Sequence, residues 1–376
     1  MCEDSIPMLD VAAENEPLLD RLIAKASEVI RSGQYILGPE VDAFEHEVAE
    51  HIGVAHAVGV SSGTDALLVS LMALGIGPGD EVITTPFSFF ATAGCIARVG
   101  ATPVFVDIRP DTFNIDVEQV RAAITPRTRA LLPVHLFGQP CDMQTLSQIA
   151  TKHDLAIIED AAQAIGADSP MGPVGSLGSF GCFSFFPSKN LGAFGDAGLV
   201  TTRHAASAED ARVLRAHGGK PKYFHAVVGG NFRIDALQAA LLRVKLPELR
   251  TWTDLRRENA ARYDAAFASA GLDETLLSPP FRRFEGHVYN QYVIRTSRRD
   301  ALQAHLEASG IGTAIYYPVP LHRQRCFEHL GYAEGSLPVS ERASRESLAL
   351  PIFPGLGKTR QDRVIRTIIQ FLRGTR

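Results

Sequence analysis

The sequence predicts an α/β fold with a mainly parallel sheet wrapped by helices, followed by a smaller α+β domain. Up to about residue 245, short apolar runs alternate with segments in which apolar residues recur at helical spacing, and turns such as GIGPGD separate them. Alternating strands and helices of this kind build parallel sheets. The 376 residues, 45% of them hydrophobic, can bury a large core and predict two domains, 1–245 and 246–376.

The elements follow in chain order. A helical arm covers about residues 1–50, and a long helical stretch from Ile234 to about Ala270 leads out of the first domain. In the second domain we predict strands at 288–296 and 312–317 and helices at 299–309, 339–348 and 359–372. The predicted strands of the first domain lie near Ala57, Val82, Val104, Leu132, Ile157, Phe183 and Leu199.

Charge and composition narrow the class of function. Lys and Arg number 37 against 42 Asp and Glu, a net charge of −5, which argues against nucleic acid or an anionic membrane as the main partner. The N-terminus is acidic and lacks the apolar core of a signal peptide, and no apolar run approaches membrane-spanning length. A cytoplasmic protein is expected.

No metal or disulfide framework is expected. The five cysteines are scattered without a C-x-x-C pair. His46 and His51 in FEHEVAEH are five positions apart, so on a helix they diverge by about 140° and cannot share a metal. GIGPG precedes a strand and lacks the spacing of a dinucleotide fingerprint, which disfavours a Rossmann dehydrogenase.

Lys189 is the first candidate catalytic residue. It follows the apolar, aromatic run GCFSFF and is surrounded by glycines and a proline. Desolvation in such surroundings lowers the pKa of an ammonium group and frees an amine for nucleophilic or basic chemistry, so we expect a Schiff-base lysine. The alternative is a surface loop lysine that follows a buried strand.

Asp160 and the turn at Ser61–Leu67 are the second and third candidates. Asp160 ends the apolar run LAIIED, and the ends of strands in open α/β sheets meet ligands; the alternative is a cap for a helix that begins at Ala161. SSGTDAL joins a short strand to a helix, where backbone N–H groups, the Thr64 hydroxyl and the helix dipole can bind phosphate. Ordinary helix capping is the alternative there too.

In this order and spacing the three features resemble the pyridoxal-phosphate (PLP) aminotransferases of the sugar-modifying DegT/DnrJ/EryC1/StrS family. The resemblance covers nearly the whole chain and implies the aspartate-aminotransferase-like fold, fold type I. The other motifs that carry it are GQYILGPEV, GPGDEVITTPFSFFATA, PVFVDI, PVHLFGQPCDM, IIEDAAQAIGA, SFFPSKNLGAFGD, GGNFRIDALQAALL, YYPVPLH and SLALPIFP.

The resemblance implies roles for single residues. Lys189 holds the cofactor and then acts as the base, and Asp160 binds the pyridine nitrogen, which keeps the ring an electron sink. Gln163 lies near the phenolic oxygen, and Phe89 stacks on the ring, with Phe90 as its rival. The phosphate binders are Thr64, the Asp65 backbone, Ser184 and, from a partner subunit, Asn231.

The role of Asn231 in a partner's site implies a homodimer with shared active sites. The alternative is that Asn231 is a turn residue after GG.

The resemblance also implies the substrates. The amino donor is L-glutamate, and the acceptor is a keto group on a nucleotide-linked sugar in amino-sugar biosynthesis. The GTDAL form of the turn favours 3-keto over 4-keto sugars, because members that act at C4 more often carry a smaller residue at Asp65. Candidate substrate contacts are Arg233 and Lys222, from a basic, glycine-broken segment, and Tyr317 and His322 from YYPVPLH.

Three alternatives remain open. A related sugar dehydratase would carry histidine in place of Lys189. An aminotransferase for a non-sugar substrate would keep every cofactor residue. A non-catalytic regulatory member of the fold is disfavoured by the intact set Thr64, Asp160, Ser184 and Lys189.

Overall fold

A computed structural model describes residues 5–272 and 276–374. Its first helices lie in the region predicted as an N-terminal arm, which stays a prediction, and Cys2 lies outside the described residues. The helices are α1 Val11–Asn15, α2 Leu19–Ser32, α3 Pro39–Ile52, α4 Gly63–Ala73, α5 Ala91–Arg98, α6 Val117–Ala123, α7 Met143–His153, α8 Ala205–Leu214, α9 Ala236–Lys245, α10 Leu249–Ser269, α11 Arg299–Ala308, α12 Pro338–Glu346 and α13 Lys358–Arg373, with 3-10 turns at Glu16–Leu18, Leu136–Gly138, Leu246–Glu248, Leu321–Arg323 and Arg325–Leu330.

The strands confirm the predicted α/β sheet. All seven predicted strand positions of the first region fall in one seven-stranded sheet of order β1-β9-β8-β5-β4-β2-β3. The two pairings of β9 are antiparallel and the other four pairings are parallel. The strands are β1 His56–Val60, β2 Glu81–Thr84, β3 Thr102–Phe105, β4 Thr128–Leu132, β5 Ala156–Asp160, β6 Asp168–Ser169, β7 Gly172–Pro173, β8 Phe180–Ser184, β9 Gly198–Thr202, β10 Tyr292–Arg295 and β11 Ser347–Leu350.

Most strands of the large sheet are buried on both sides, because helices cover both of its faces. One core cluster joins β1, β8 and β9 residues such as Val58 to α4, and another joins β4 and β5 residues such as Leu131 to α7. Continuous apolar strands of this kind are typical of parallel sheets with two covered faces. The carboxyl ends of β4 and β5 therefore open on one edge, where a ligand can bind.

A buried ion pair fixes the end of β1, from which the Ser61–Leu67 turn departs. Glu45 on α3 accepts a hydrogen bond from the Gly59 N–H at 2.8 Å and pairs with Arg215, which also donates to the Gly59 carbonyl at 2.9 Å. Both side chains are buried, so each charge has its partner inside the protein. The turn that follows β1 thus starts from a rigid point.

The C-terminal region has its own core, which β10, β11, α11 and α13 share with α10. Two details of the prediction were wrong here. Residues 312–317 do not form a strand, because they do not pair continuously with one neighbour. The Gly312 N–H donates to the Ile6 carbonyl, and only Ala314 pairs with Ala349. The helix predicted over 339–348 ends at Glu346, because Ser347–Leu350 pairs with β10 instead.

The long helix predicted from Ile234 to Ala270 is interrupted. Pro247 lies in the 3-10 turn Leu246–Glu248 between α9 and α10. Proline has no N–H to donate inside a helix, which explains the break. The domain boundary predicted after residue 245 coincides with the end of α9 and stays a prediction.

Candidate active site

A cavity of about 620 Å³ opens at the carboxyl end of β5. This volume lies within the range of about 300–1,000 Å³ that is common for ligand sites. The cavity collects residues from widely separated parts of the chain. The predicted site residues that line it are Thr64, Phe89, Asp160, Gln163, Ser184, Lys189 and Tyr317.

Asp160 presents a buried carboxylate to this cavity. Its Oδ2 accepts a hydrogen bond from the Thr92 hydroxyl at 2.8 Å, and its Oδ1 accepts one from the Ala162 N–H at 3.2 Å. No helix begins at Ala161, so the capping alternative does not apply. Burial raises the pKa of Asp160 above its ordinary value, while these hydrogen bonds and the nearby Lys189 charge act in the opposite direction. A carboxylate has about four acceptor positions, and two are still available to a ligand.

Lys189 supplies the amine. Burial lowers the pKa of Lys189 to about 8, and the attraction of Asp160 only partly opposes this effect. The amine is therefore half deprotonated at mildly alkaline pH, whereas an ordinary lysine stays charged there. The sequence-based expectation of a desolvated lysine agrees with this environment.

Hydrogen bonds hold the segment that carries Lys189. The next residue, Asn190, donates to the Val288 carbonyl at 3.1 Å and accepts from the Asn290 amide at 2.9 Å. Two residues later, the buried Lys245 donates to the Gly192 carbonyl at 2.6 Å. These contacts fix the backbone on the C-terminal side of Lys189, so the position of the amine is set by buried structure.

The start of α4 lines the cavity. Ser62 caps the helix by accepting a hydrogen bond from the Asp65 N–H at 3.0 Å. The N–H groups of Gly63 and Thr64 in the first turn have no partner within the helix, and the helix dipole favours an anion beside them. A Cβ on Gly63 would lie 2.6 Å from Cβ of Ser184, so glycine is required for β8 and α4 to approach here.

Asp65 takes a different place from the predicted one. Its backbone N–H is engaged by Ser62, and its carboxylate accepts a hydrogen bond from the Ser61 hydroxyl at 2.6 Å. Asp65 is not among the residues that line the cavity. The role of its backbone in phosphate binding stays a prediction.

The aromatic and amide candidates Phe89 and Gln163 both line the cavity. Phe89 is 60% exposed and lines it, whereas Phe90 packs against Phe327 with ring centroids 5.8 Å apart. Gln163 is held by the Phe137 N–H at 2.6 Å and donates to the Tyr317 hydroxyl at 3.3 Å. Of the two phenylalanines, the structure brings Phe89 to the site, and a flat ring could be enclosed beside it.

Four predicted residues lie away from the cavity of this chain. Asn231 and Lys222 are exposed, and Lys222 lies over the Tyr223 ring at 5.0 Å. Arg233 is half-buried with its Nε lacking a partner, and His322 is buried and hydrogen-bonded to Glu341 at 3.1 Å. Their roles stay predictions.

Several cavity residues were not predicted. The cavity is also lined by Ser62, Ser88, Asp196 and Gln291. Thr92 does not line it but donates a hydrogen bond to Asp160. The sequence contained a signal for two of them, because Ser88 and Thr92 are the polar members of the otherwise apolar stretch SFFATA and are four residues apart.

The residues present fit PLP. The desolvated amine suits the aldehyde of that cofactor, and the carboxylate with free acceptor positions suits its pyridine nitrogen. The first N–H groups of α4 and the Thr64 hydroxyl suit its phosphate, and the exposed ring of Phe89 suits its ring face. Within the described residues, no group of three or more His, Cys, Asp or Glu side chains could hold a metal ion. No helix in the same part of the chain is long and apolar enough to cross a membrane.

A larger hollow of about 780 Å³ does not show this chemistry. It lies between α10 and the β6–β7 hairpin, and its charged lining consists of arginines that alternate with carboxylates, such as Arg257 beside Asp254. None of the predicted cofactor residues lines it.

Comparisons with known proteins agree on one family. A model of the DegT/DnrJ/EryC1/StrS aminotransferase family matches residues 18–369. The chain is 49% identical to a pleiotropic regulatory protein of Geobacillus stearothermophilus, over 98% of this chain and 99% of that protein. It is 46% identical to UDP-N-acetyl-3-dehydro-alpha-D-glucosamine 3-aminotransferase of Acidithiobacillus ferrooxidans, again over 98% of this chain and 99% of the relative.

Solved structures give the same result. The crystal structure of S. venezuelae DesV superimposes with a TM-score of 0.95 at 43% identity, covering 98% of this chain and 99% of that one. The crystal structure of NtdA from Bacillus subtilis, which contains the cofactor PMP, superimposes with a TM-score of 0.92 at 32% identity, covering 98% of this chain and 86% of that one.

Proposed function

Because this chain belongs to the DegT/DnrJ/EryC1/StrS aminotransferase family, we propose that it transfers an amino group from L-glutamate to the C3 keto group of a nucleotide-linked sugar. It is a PLP-dependent aminotransferase. The observation that carries the proposal is that the desolvated amine of Lys189, the buried carboxylate of Asp160 and the start of α4 share one cavity.

Different residues of the site would hold different parts of the cofactor. When bound, PLP supplies a carbonyl that captures amines and a ring that withdraws electrons from the reacting carbon. The start of α4, Thr64 and Ser184 would bind its phosphate, and Phe89 would cover one face of the ring. Asp160 would accept a hydrogen bond from the ring nitrogen and so hold a proton there.

Lys189 moves the proton at the reacting carbon. With its amine free, Nζ would take the proton from Cα of the donor in the first half of the reaction and would give a proton to the keto carbon of the sugar in the second half. A base with a pKa near the working pH transfers protons in both directions, and the pKa of about 8 meets this condition. Proton shuttling by such a group typically contributes about 10²–10⁴-fold in rate.

Two observations support the C3 position. The relative from Acidithiobacillus ferrooxidans is named for amination at C3 of a 3-keto UDP-sugar, and it matches nearly the whole chain. The GTDAL form of the turn points the same way. The relative from Geobacillus stearothermophilus is named as a regulatory protein, yet the cofactor residues of this chain are intact, which favours catalysis.

We propose further that the protein is a homodimer with shared sites. Four exposed apolar side chains shortly precede Asn231 in the chain: Tyr223, Phe224, Val227 and Val228, the last 88% exposed. Exposed apolar patches mark association sites. A second copy placed there would cover these residues and bring Asn231 and Lys222 to the cavity of its partner.

The substrate is tested with four nucleotide sugars in the reverse direction, which avoids unstable keto sugars. The PLP-loaded protein is mixed with 2-oxoglutarate and either the 3-amino or the 4-amino form of a UDP- or dTDP-linked sugar, and L-glutamate is measured. We expect L-glutamate from a 3-amino sugar at a rate at least about tenfold above its 4-amino isomer. Faster reaction of the 4-amino sugars would contradict amination at C3. Faster transfer of the amine to pyruvate than to 2-oxoglutarate would contradict L-glutamate as the amino donor.

A further inference from the structure

Ser88, Thr92 and Asp160 form a hydrogen-bonded chain at the cavity. The hydroxyl oxygens of Ser88 and Thr92 are 2.8 Å apart, and Thr92 Oγ1 is 2.8 Å from Asp160 Oδ2. All three side chains are buried, and the central one, Thr92, does not line the cavity, which shields its hydroxyl from water.

The direction of the chain follows from which groups can donate. An ionised carboxylate only accepts, so the single hydroxyl proton of Thr92 is donated to Asp160. Thr92 therefore accepts the proton of Ser88, and the sequence of donation is Ser88 to Thr92 to Asp160. Thr92 accepts from Ser88 and donates to Asp160, so the chain has one arrangement as long as Asp160 is ionised.

The first turn of α5 connects this chain to the ring-binding face. Phe89 precedes α5 and lines the cavity, and Thr92 is the second residue of the helix. One rigid turn therefore places both the aromatic ring and the hydroxyl that holds Asp160. The N–H of Ala162 binds the other oxygen at 3.2 Å, so the carboxylate is held from two sides.

We propose that Thr92, backed by Ser88, is a positioning residue that keeps Asp160 ionised and oriented as the acceptor for the ring nitrogen of PLP. This inference rests on the proposed function, since it assigns Asp160 to the cofactor. Thr92 does not line the cavity and acts through Asp160.

The physical reason is that burial penalises the charged form of Asp160. A hydrogen bond to a charged group stabilises that form more than a bond between neutral groups does. Without the Thr92 hydroxyl, the carboxylate would lose a buried donor and would take up a proton more readily, which raises its pKa further. A protonated or rotated Asp160 no longer accepts a hydrogen bond from a protonated ring nitrogen.

The test measures cofactor affinity with two ligands. Equilibrium dissociation constants of the apoprotein are determined for PLP and for its analogue in which a C–H group replaces the ring nitrogen. Thr92→Val keeps the shape of the side chain and removes the hydroxyl, and we expect it to weaken PLP binding about tenfold while changing analogue binding less than about twofold. Thr92→Ser retains the hydroxyl and is expected to bind PLP as the wild-type protein does.

Two further variants separate positioning from general structural damage. Thr201→Val removes another buried hydroxyl, which donates to the Gly175 carbonyl at 2.6 Å outside the cavity, and it should leave both affinities unchanged. Ser88→Ala removes the donor to Thr92 and should weaken the binding of PLP more than that of the analogue. This variant provides the test if Thr92→Val does not fold. Equal weakening of PLP and its analogue, or no weakening of either, would overturn the role of Thr92. A wild-type protein that binds neither would instead overturn the proposed function.

Discussion

Replacing Lys189 by alanine is expected to abolish transamination and leave the protein folded. The side chain is the one amine of the described residues that lines the cavity, and no other residue there can replace it as base. We expect turnover to fall by about 10⁴-fold or more, because the cofactor attachment and the proton transfer are lost together. Steady-state rates and the unfolding midpoint of the variant are the measurements. Activity above about a tenth of wild type would contradict the assignment.

A matched lysine provides the control. Burial lowers the pKa of Lys245 to about 8 as well, but Lys245 does not line the cavity. Borohydride reduction of the PLP-loaded protein followed by peptide mapping should place the cofactor on Lys189 and not on Lys245. Modification of Lys245 would show that a lowered pKa alone, and not the position in the cavity, selects the amine.

The Lys189→Ala variant also tests whether two subunits share their active sites. Asn231→Asp would place a negative charge beside the cofactor phosphate and should be inactive. If Asn231 reaches the partner's site, dissociating and remixing the Lys189→Ala and Asn231→Asp proteins restores one intact site in each mixed dimer, about a quarter of wild-type turnover. No recovery, with mixed dimers demonstrated, would contradict the sharing of residues.

Replacing Asp160 by asparagine is expected to have the second largest effect. The amide has nearly the shape of the carboxylate but lacks its charge, so it cannot keep a proton on the ring nitrogen. We expect the turnover number to fall by on the order of 10²–10³, as is found when a preorganised electrostatic group is removed from an active site. Cofactor binding should weaken as well, and the measurement is a steady-state rate at saturating PLP.

The neighbouring carboxylate gives a control for Asp160. Glu159 points away from the cavity, where it accepts hydrogen bonds from His135 at 3.1 Å and from backbone N–H groups of the 175–178 turn at 2.7–2.9 Å. Burial alone would raise the pKa of Glu159, but these hydrogen bonds outweigh it and its pKa lies below the ordinary value.

Glu159→Gln should therefore lower stability by roughly 1–3 kcal/mol and spare cofactor affinity. An Asp160→Asn protein as active as Glu159→Gln would contradict the role of Asp160.

The sheet and the centre of the site were predictable because their signals are local. Each buried strand appears as a short apolar run, and Lys189 and Asp160 each lie within three residues of the end of such a run. The alternative of a helix cap at Asp160 could not be excluded from the sequence, since capping depends on whether the chain after Asp160 is helical.

What the sequence did not predict depends on tertiary contacts. The bond of Thr92 to Asp160 joins residues 68 positions apart, and nothing in the stretch SFFATA indicates its partner. Ser347–Leu350 forms a strand because β10 is available to pair with it, although its sequence continued a helical pattern. His322 lies in a promising motif, yet its ring is directed to Glu341.

The most direct test of the central claim is the visible absorption spectrum of the PLP-loaded protein before and after addition of L-glutamate. If Lys189 and Asp160 form an aminotransferase centre, the band of lysine-bound PLP should disappear, the spectrum of the pyridoxamine form should replace it, and one equivalent of 2-oxoglutarate should appear per site. A bound cofactor whose band is unchanged by L-glutamate and by other amino acids would contradict the account.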